Sequence, residues 1–140
     1  MLAALSQAKP STGLRVLIYG GAGFVGSRLA LHLHHQGCHV TVVDHDHSQV
    51  LVALKRAGID EVLYVSRDDC DYEAQAKDKD VVILMAGNPS VRSCTTACGA
   101  ISNSVYNLSR FLSAKRPESQ IVIYASSSSV YGDTTGMVDE

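Results

Sequence analysis

At 140 residues, 46% of them hydrophobic, the chain can bury one core but leaves no room for a second domain of ordinary size. A formal net charge of −2 and a pI near 6.3, with the basic residues scattered, exclude the concentrated basic face that nucleic acid or an anionic membrane would require. Cys38, Cys70, Cys94 and Cys98 make no Cys-x-x-Cys pair and match neither a zinc ribbon nor a secreted disulfide framework, so reduced thiols in a cytoplasmic protein are expected.

Residues 1–13 mix small, polar and breaker residues without periodicity and read as a flexible leader. Their short apolar stretch has no basic segment before it, so an export signal is not expected. No apolar run approaches the roughly 20 residues that span a bilayer. Five Val- and Ile-rich runs follow, at 15–19, 39–43, 61–65, 80–85 and 120–125. Such near-continuous apolar runs suit strands covered on both faces, as in a parallel sheet.

Helical spacing separates the runs. Residues 24–36 put Val25, Leu29 and Leu33 on one stripe, and 49–57 repeat the pattern with Val50, Leu51 and Leu54. Gly37 and Gly58 stand where helices end. Residues 69–76 predict only a weak helix; 101–114 predict a clearer one, closed before Pro117. The alternation predicts an α/β fold of βαβ units with right-handed crossovers.

The first run leads into Gly20-Gly21-Ala22-Gly23-Phe24-Val25-Gly26, which opens the first helix. Glycines there permit a tight turn and let backbone amides, including those of Phe24 and Val25, approach a pyrophosphate at a helix N-terminus. The plain alternative is a turn that merely packs helix on strand. Context favours the dinucleotide, because the second strand ends in Asp44, 24 residues after Gly20, where a ribose-binding acid belongs. A carboxylate there accepts from both ribose hydroxyls and repels a 2′-phosphate, which predicts NAD over NADP. Asp44 as an ordinary strand-end cap is the competing reading. His45 and His47, flanking this site, and His32, His34 and His35 on the first helix lack the spacing of a metal site and read as solvent-facing or boundary residues, so no metal is expected.

At the end of the fifth run stands Ser126-Ser127-Ser128-Ser129-Val130-Tyr131-Gly132. With the glycine turn and Asp44, this segment resembles the extended short-chain dehydrogenase/reductases, in particular the NAD-dependent epimerase/dehydratase family that acts on nucleotide sugars. The resemblance runs from about residue 14 to 133. It implies a Rossmann-type doubly wound sheet of about five strands in the order 3-2-1-4-5, with residues 14–140 forming an incomplete dinucleotide-binding domain that stops before the substrate domain.

Residue by residue, the resemblance carries the loop glycines to Gly20, Gly23 and Gly26 and the ribose acid to Asp44. It carries the acid that meets the adenine amino group to Asp68, with Asp69 and Asp71 as competitors. Ala86 and Gly87, after the fourth strand, would line the nicotinamide ribose, although Leu84 stands where a histidine is common. Asn103 takes either a helix asparagine's place near the cofactor or that of a surface residue, since Tyr106 and Asn107 replace the glycine and threonine that usually follow. Ser127 takes the catalytic serine/threonine place, Ser126 is assigned to the cofactor, and Ser128 is a neighbour able to hold the nicotinamide region.

The family's chemistry uses a tyrosine as proton carrier, with a lysine four residues on that lowers its pKa. None of the six tyrosines here has lysine at that distance, and the sequence given ends thirteen residues after Ser127. The chain alone is therefore expected to bind NAD without turning over a nucleotide sugar. Three readings stay open: part of an epimerase, dehydratase or reductase; a non-catalytic NAD(H)-binding or sensing module, or a subunit whose partner supplies the tyrosine and lysine; and a steroid- or flavonoid-type isomerase or reductase. The fifth strand would form a sheet edge open to pairing with a second copy, giving a homodimer.

Overall fold

The computed structural model describes residues 13–45, 49–65, 70–87, 98–114 and 117–126, with the helix side chains at 98–104 and 107 left aside. Five strands, β1 (Arg15–Tyr19), β2 (His39–Asp44), β3 (Glu61–Tyr64), β4 (Val81–Leu84) and β5 (Ile121–Tyr124), form one sheet in the order β3-β2-β1-β4-β5. Every pairing is parallel, so each connection must cross over.

The order reverses beside β1, from which the chain winds first one way and later the other. The helices are α1 (Phe24–His35), α2 (Gln49–Arg56), α3 (Tyr72–Ala76) and α4 (Cys98–Ser113). Strand alternation splits the apolar residues between two layers. Val16, Ile18, Val40, Val42 and Ile83 pack with Ala30 of α1 and with Leu51 and Leu54 of α2. Leu17, Tyr19, Val43, Val82 and Leu84 pack with Ala76 of α3 and Phe111 of α4. This is the doubly wound arrangement that the resemblance implied, built from the βαβ units that the strand-helix alternation predicts. At the β5 edge Ile121 and Ile123 are about half exposed.

Helix ends follow their local chemistry. Gly37 and Gly58, both at positive φ, end α1 and α2. Helix α3 is short and starts late, because the Asp71 carboxylate accepts from the Ala74 amide at 3.0 Å and so fixes the first turn. Helix α4 begins at Cys98, before its apolar periodicity becomes legible. Among the described residues no helix is long and apolar enough to cross a membrane.

At the N-terminal ends of the strands, two aspartates tie neighbours together. Asp80, just before β4, accepts from the Arg15 amide at 2.8 Å and pairs with its guanidinium at 3.2 Å. Asp60, just before β3, accepts from the Val40 amide at 2.8 Å and lies 3.5 Å from His39 Nδ1. The Arg15 side chain and amide hold the Asp80 carboxyl below the ordinary carboxylate range. Burial pushes Asp60 upward, but the Val40 amide and the His39 ring outweigh it, so Asp60 is also lowered.

A carboxyl whose folded pKa lies below its unfolded one contributes stability that is complete above about pH 4 and lost as pH falls through the folded value. The urea midpoint is therefore expected to hold from pH 7 down to about 4 and to drop below that. In a D60N/D80N variant the acid drop should be shallower. An acid limb identical to that of the parent would remove these two carboxylates as its cause.

Candidate functional site

The carboxyl ends of β1, β2, β4 and β5 converge where the strand order reverses, the edge at which open α/β sheets place ligands. Chain leaving β1 turns at once: Gly20, at φ +80°, donates its amide to the Val43 carbonyl at 2.8 Å, while the Met85 amide donates to the Tyr19 carbonyl at 2.8 Å. The exits of β1, β2 and β4 are thus laced together.

The glycine turn is packed too closely for side chains. A Cβ on Gly20 would stand 2.6 Å from the Ala86 nitrogen, and one on Gly21 would stand 2.5 Å from Val42 Cγ1. On Gly26 it would run into the Gly20 carbonyl oxygen and come within 2.9 Å of Gly21 Cα. The absence of side chains is what lets the first turn of α1 sit on the turn.

Gly23 is the N-cap of α1, and no side chain caps the helix. The first amides of any helix have no acceptor within it, and here the first turn carries no acidic residue to compete for the positive end. Phe24 and Val25 are exposed, so their backbone, not their apolar packing, is what they bring to this edge. Such an N-terminus suits a diphosphate.

Asp44 closes β2 beside it. Its carboxylate is 7% exposed and accepts from the Ala22 amide at 2.8 Å through Oδ2 and from the His45 amide at 2.7 Å through Oδ1. His45 Nδ1 lies 3.4 Å from Oδ1. Two backbone bonds therefore orient Asp44 at the end of β2.

The structure thus brings Gly20, Gly23, Phe24, Val25, Gly26 and Asp44 to one edge of the sheet. Ala86 and Gly87 are exposed at the exit of β4, with Ala86 against Gly20. Ser126 is exposed just past β5, whose exit is fixed by the Ala125 amide donating to the Leu84 carbonyl at 3.0 Å. Asn103 falls within α4, but its side chain lies outside the described residues, as do Asp68 and Ser127. Among the described residues no group of three or more His, Cys, Asp or Glu could hold a metal.

Two features were not read from the sequence. One is the bond from Ala22 to Asp44, which the glycine spacing hides because Ala22 enters it through its amide. The other is a buried polar cluster beneath the turn: Tyr19 donates from its hydroxyl to Gln75 Oε1 at 2.9 Å, and the Cys70 thiol donates to the same oxygen at 3.3 Å. Burial, reinforced by Cys70, pushes the Tyr19 phenol far above its usual value, which bars it from acting as a base near neutrality. Burial likewise raises the Cys70 thiol and keeps it protonated.

Comparison with known proteins agrees with this geometry. The family model described as the NAD dependent epimerase/dehydratase family matches residues 16–140. UDP-glucose 4-epimerase 3 of Oryza sativa subsp. japonica is 31% identical, in a match covering 90% of this chain and 38% of the relative. The solved UDP-N-acetylglucosamine 4-epimerase of Methanobrevibacter ruminantium M1, in complex with UDP-N-acetylmuramic acid, is 26% identical with a TM-score of 0.74; the match covers 92% of this chain and 43% of that one. A mutant UDP-glucuronic acid 4-epimerase of Bacillus cereus, in complex with UDP-4-deoxy-4-fluoro-glucuronic acid and NAD, is 25% identical with a TM-score of 0.76, covering 91% and 44%. The chain therefore spans about two fifths of the length of these relatives.

Proposed function

We infer that this chain, which belongs to the NAD dependent epimerase/dehydratase family, binds NAD and forms the dinucleotide-binding part of an enzyme acting on nucleotide sugars. The observation that carries the reading is the Asp44 carboxylate, bonded at 2.8 Å to the Ala22 amide of the glycine-rich turn at the N-terminus of α1. The residues fit the cofactor: Gly20, Gly23, Phe24, Val25 and Gly26 would hold its pyrophosphate by backbone amides, and Asp44 its adenosine ribose. Ala86, Gly87, Asn103 and Ser126 are proposed to line the nicotinamide side, and Asp68 to meet the adenine.

When bound, NAD accepts and returns a hydride at the carbon bearing a sugar hydroxyl. Ser127 is proposed to hydrogen-bond that hydroxyl and hold it in place. General-base work requires a proton acceptor tuned near neutrality, and no tyrosine of this chain carries a lysine four residues on. A second reading is a non-catalytic NAD(H)-binding module or a subunit whose tyrosine and lysine come from a partner. Titration calorimetry on the folded chain tests the shared premise: NAD should bind saturably, and a folded chain that gives no binding heat and no displacement signal would overturn it. Turnover of UDP-sugars only after mixing with a partner, or after extension of the chain, would separate the enzyme from the sensor.

A further inference from the structure

With a pyrophosphate on the turn after β1 and an adenosine ribose on Asp44 at the end of β2, the chemistry of the sugar fixes where the base goes. A furanose carries its 2′- and 3′-hydroxyls on one edge, and the 5′-phosphate and the glycosidic bond leave from opposite sides of that edge. Phosphates directed toward β1 therefore send the base to the other side of β2. The strand on that side is β3.

Tyr64 closes β3 and is the register partner of Asp44. Adjacent strands lie about 4.8 Å apart, and successive side chains along each alternate between the two faces of the sheet. The neighbours show which face is which: Val42 and Val62 pack with α1 and α2, whereas Val43, Leu63 and Val65 pack with α3 and α4. Alternation thus puts Asp44 and Tyr64 side by side on the α1–α2 face. Asp44 is nearly buried there, while Tyr64 is 48% exposed, so an aromatic ring stands half in solvent next to the carboxylate.

Resting on the NAD-binding reading above, we propose that Tyr64 holds the adenine of the cofactor by stacking a face of its ring on the base. Aromatic rings take bases in this way because both present flat, polarisable faces, and the contact removes apolar surface of both from water. Tyr64 also interacts with other groups of the chain, and the stack asks only for one face of its ring. The plain alternative is a tyrosine that merely ends an edge strand at the surface, indifferent to the cofactor.

The chain contains no tryptophan, so Y64W introduces a single reporter at this position. Wild type, Y64F, Y64A and Y64W are compared as whole chains, with the fold of each checked by circular dichroism. NAD and AMP should both quench the Y64W emission to saturation, whereas nicotinamide mononucleotide, which has no adenine, should leave it unchanged. Y64A should weaken NAD and AMP binding by about tenfold each, as expected when the aromatic partner of a base is removed. Y64F should stay within about twofold of wild type, since the stack needs the ring and not the hydroxyl. The Y64W and Y64F results decide the matter even where Y64A does not fold. Unchanged NAD affinity in folded Y64A, a loss in Y64F as large as in Y64A, or quenching of Y64W by nicotinamide mononucleotide as strong as by AMP would overturn the stack and leave NAD binding standing. Absence of NAD binding to folded wild type would overturn the NAD reading and this inference with it.

Discussion

Replacing Gly20 with alanine is expected to destabilise the chain by about 2–5 kcal/mol and to abolish NAD binding. Two costs combine. At φ +80° an L-residue is strained by roughly 1–2 kcal/mol. The added methyl would also stand 2.6 Å from the Ala86 nitrogen and 2.9 Å from the Met85 carbonyl carbon. Those neighbours are backbone, so relief requires moving the exit of β4, and overpacking of this kind costs about 1–3 kcal/mol. Since a domain of this size is held by only about 5–15 kcal/mol in total, the loss is a large fraction of its stability.

Gly87 supplies the control. It lies one residue beyond Ala86, yet a Cβ built there meets nothing within 4 Å. G87A should therefore stay within about 0.5 kcal/mol of the parent in urea denaturation. If G20A proved as stable as G87A, the close approach of the β1 and β4 exits would not exist in solution.

The contrast between these two glycines marks what the sequence could convey. A glycine's presence is visible in the sequence, but whether it is required depends on a neighbour about 65 residues away. The central strands β1, β2 and β4 were legible because their Val and Ile runs are buried on both faces, which writes the middle of the sheet into composition, whereas the edge strands β3 and β5 are partly exposed. The turn and Asp44 were legible because the phosphate-binding pattern is local, a strand, a few residues of turn and one helix. Boundaries were less so: β2 runs on through Asp44, and α4 starts at Cys98 where small and polar residues hide the helical period.

Contacts between distant residues were not legible at all. Tyr19, Cys70 and Gln75 meet only because β1 and α3 pack on one face of the sheet. The lacing of Asp80 to Arg15 has the same origin, as the register of two strands sixty-odd residues apart creates it. His45 read as a boundary histidine beside the site, and its pairing with Asp44 emerged only from the turn that β2 makes as it ends.

Asp44 gives the second large effect. Changing it to alanine should lower NAD affinity by at least tenfold, because hydrogen bonds to a charged acceptor are worth about 1.5–3 kcal/mol each. It should also cost the apo chain roughly 1–3 kcal/mol, since the Ala22 amide loses the carboxylate that now accepts from it at 2.8 Å. The asparagine variant separates charge from shape. Asparagine has one oxygen and one amino group where the carboxylate has two acceptors, so of the Ala22 and His45 amides, one would face a donor. D44N should therefore be less stable than wild type, bind NAD more weakly, and reject NADP less strongly, since the repelling charge is gone. Alanine should bring the same loss of discrimination with a greater loss of affinity. Equal NAD affinity in wild type and folded D44A would remove the ribose from Asp44, and the carboxylate would then be only the clasp between the end of β2 and the glycine turn.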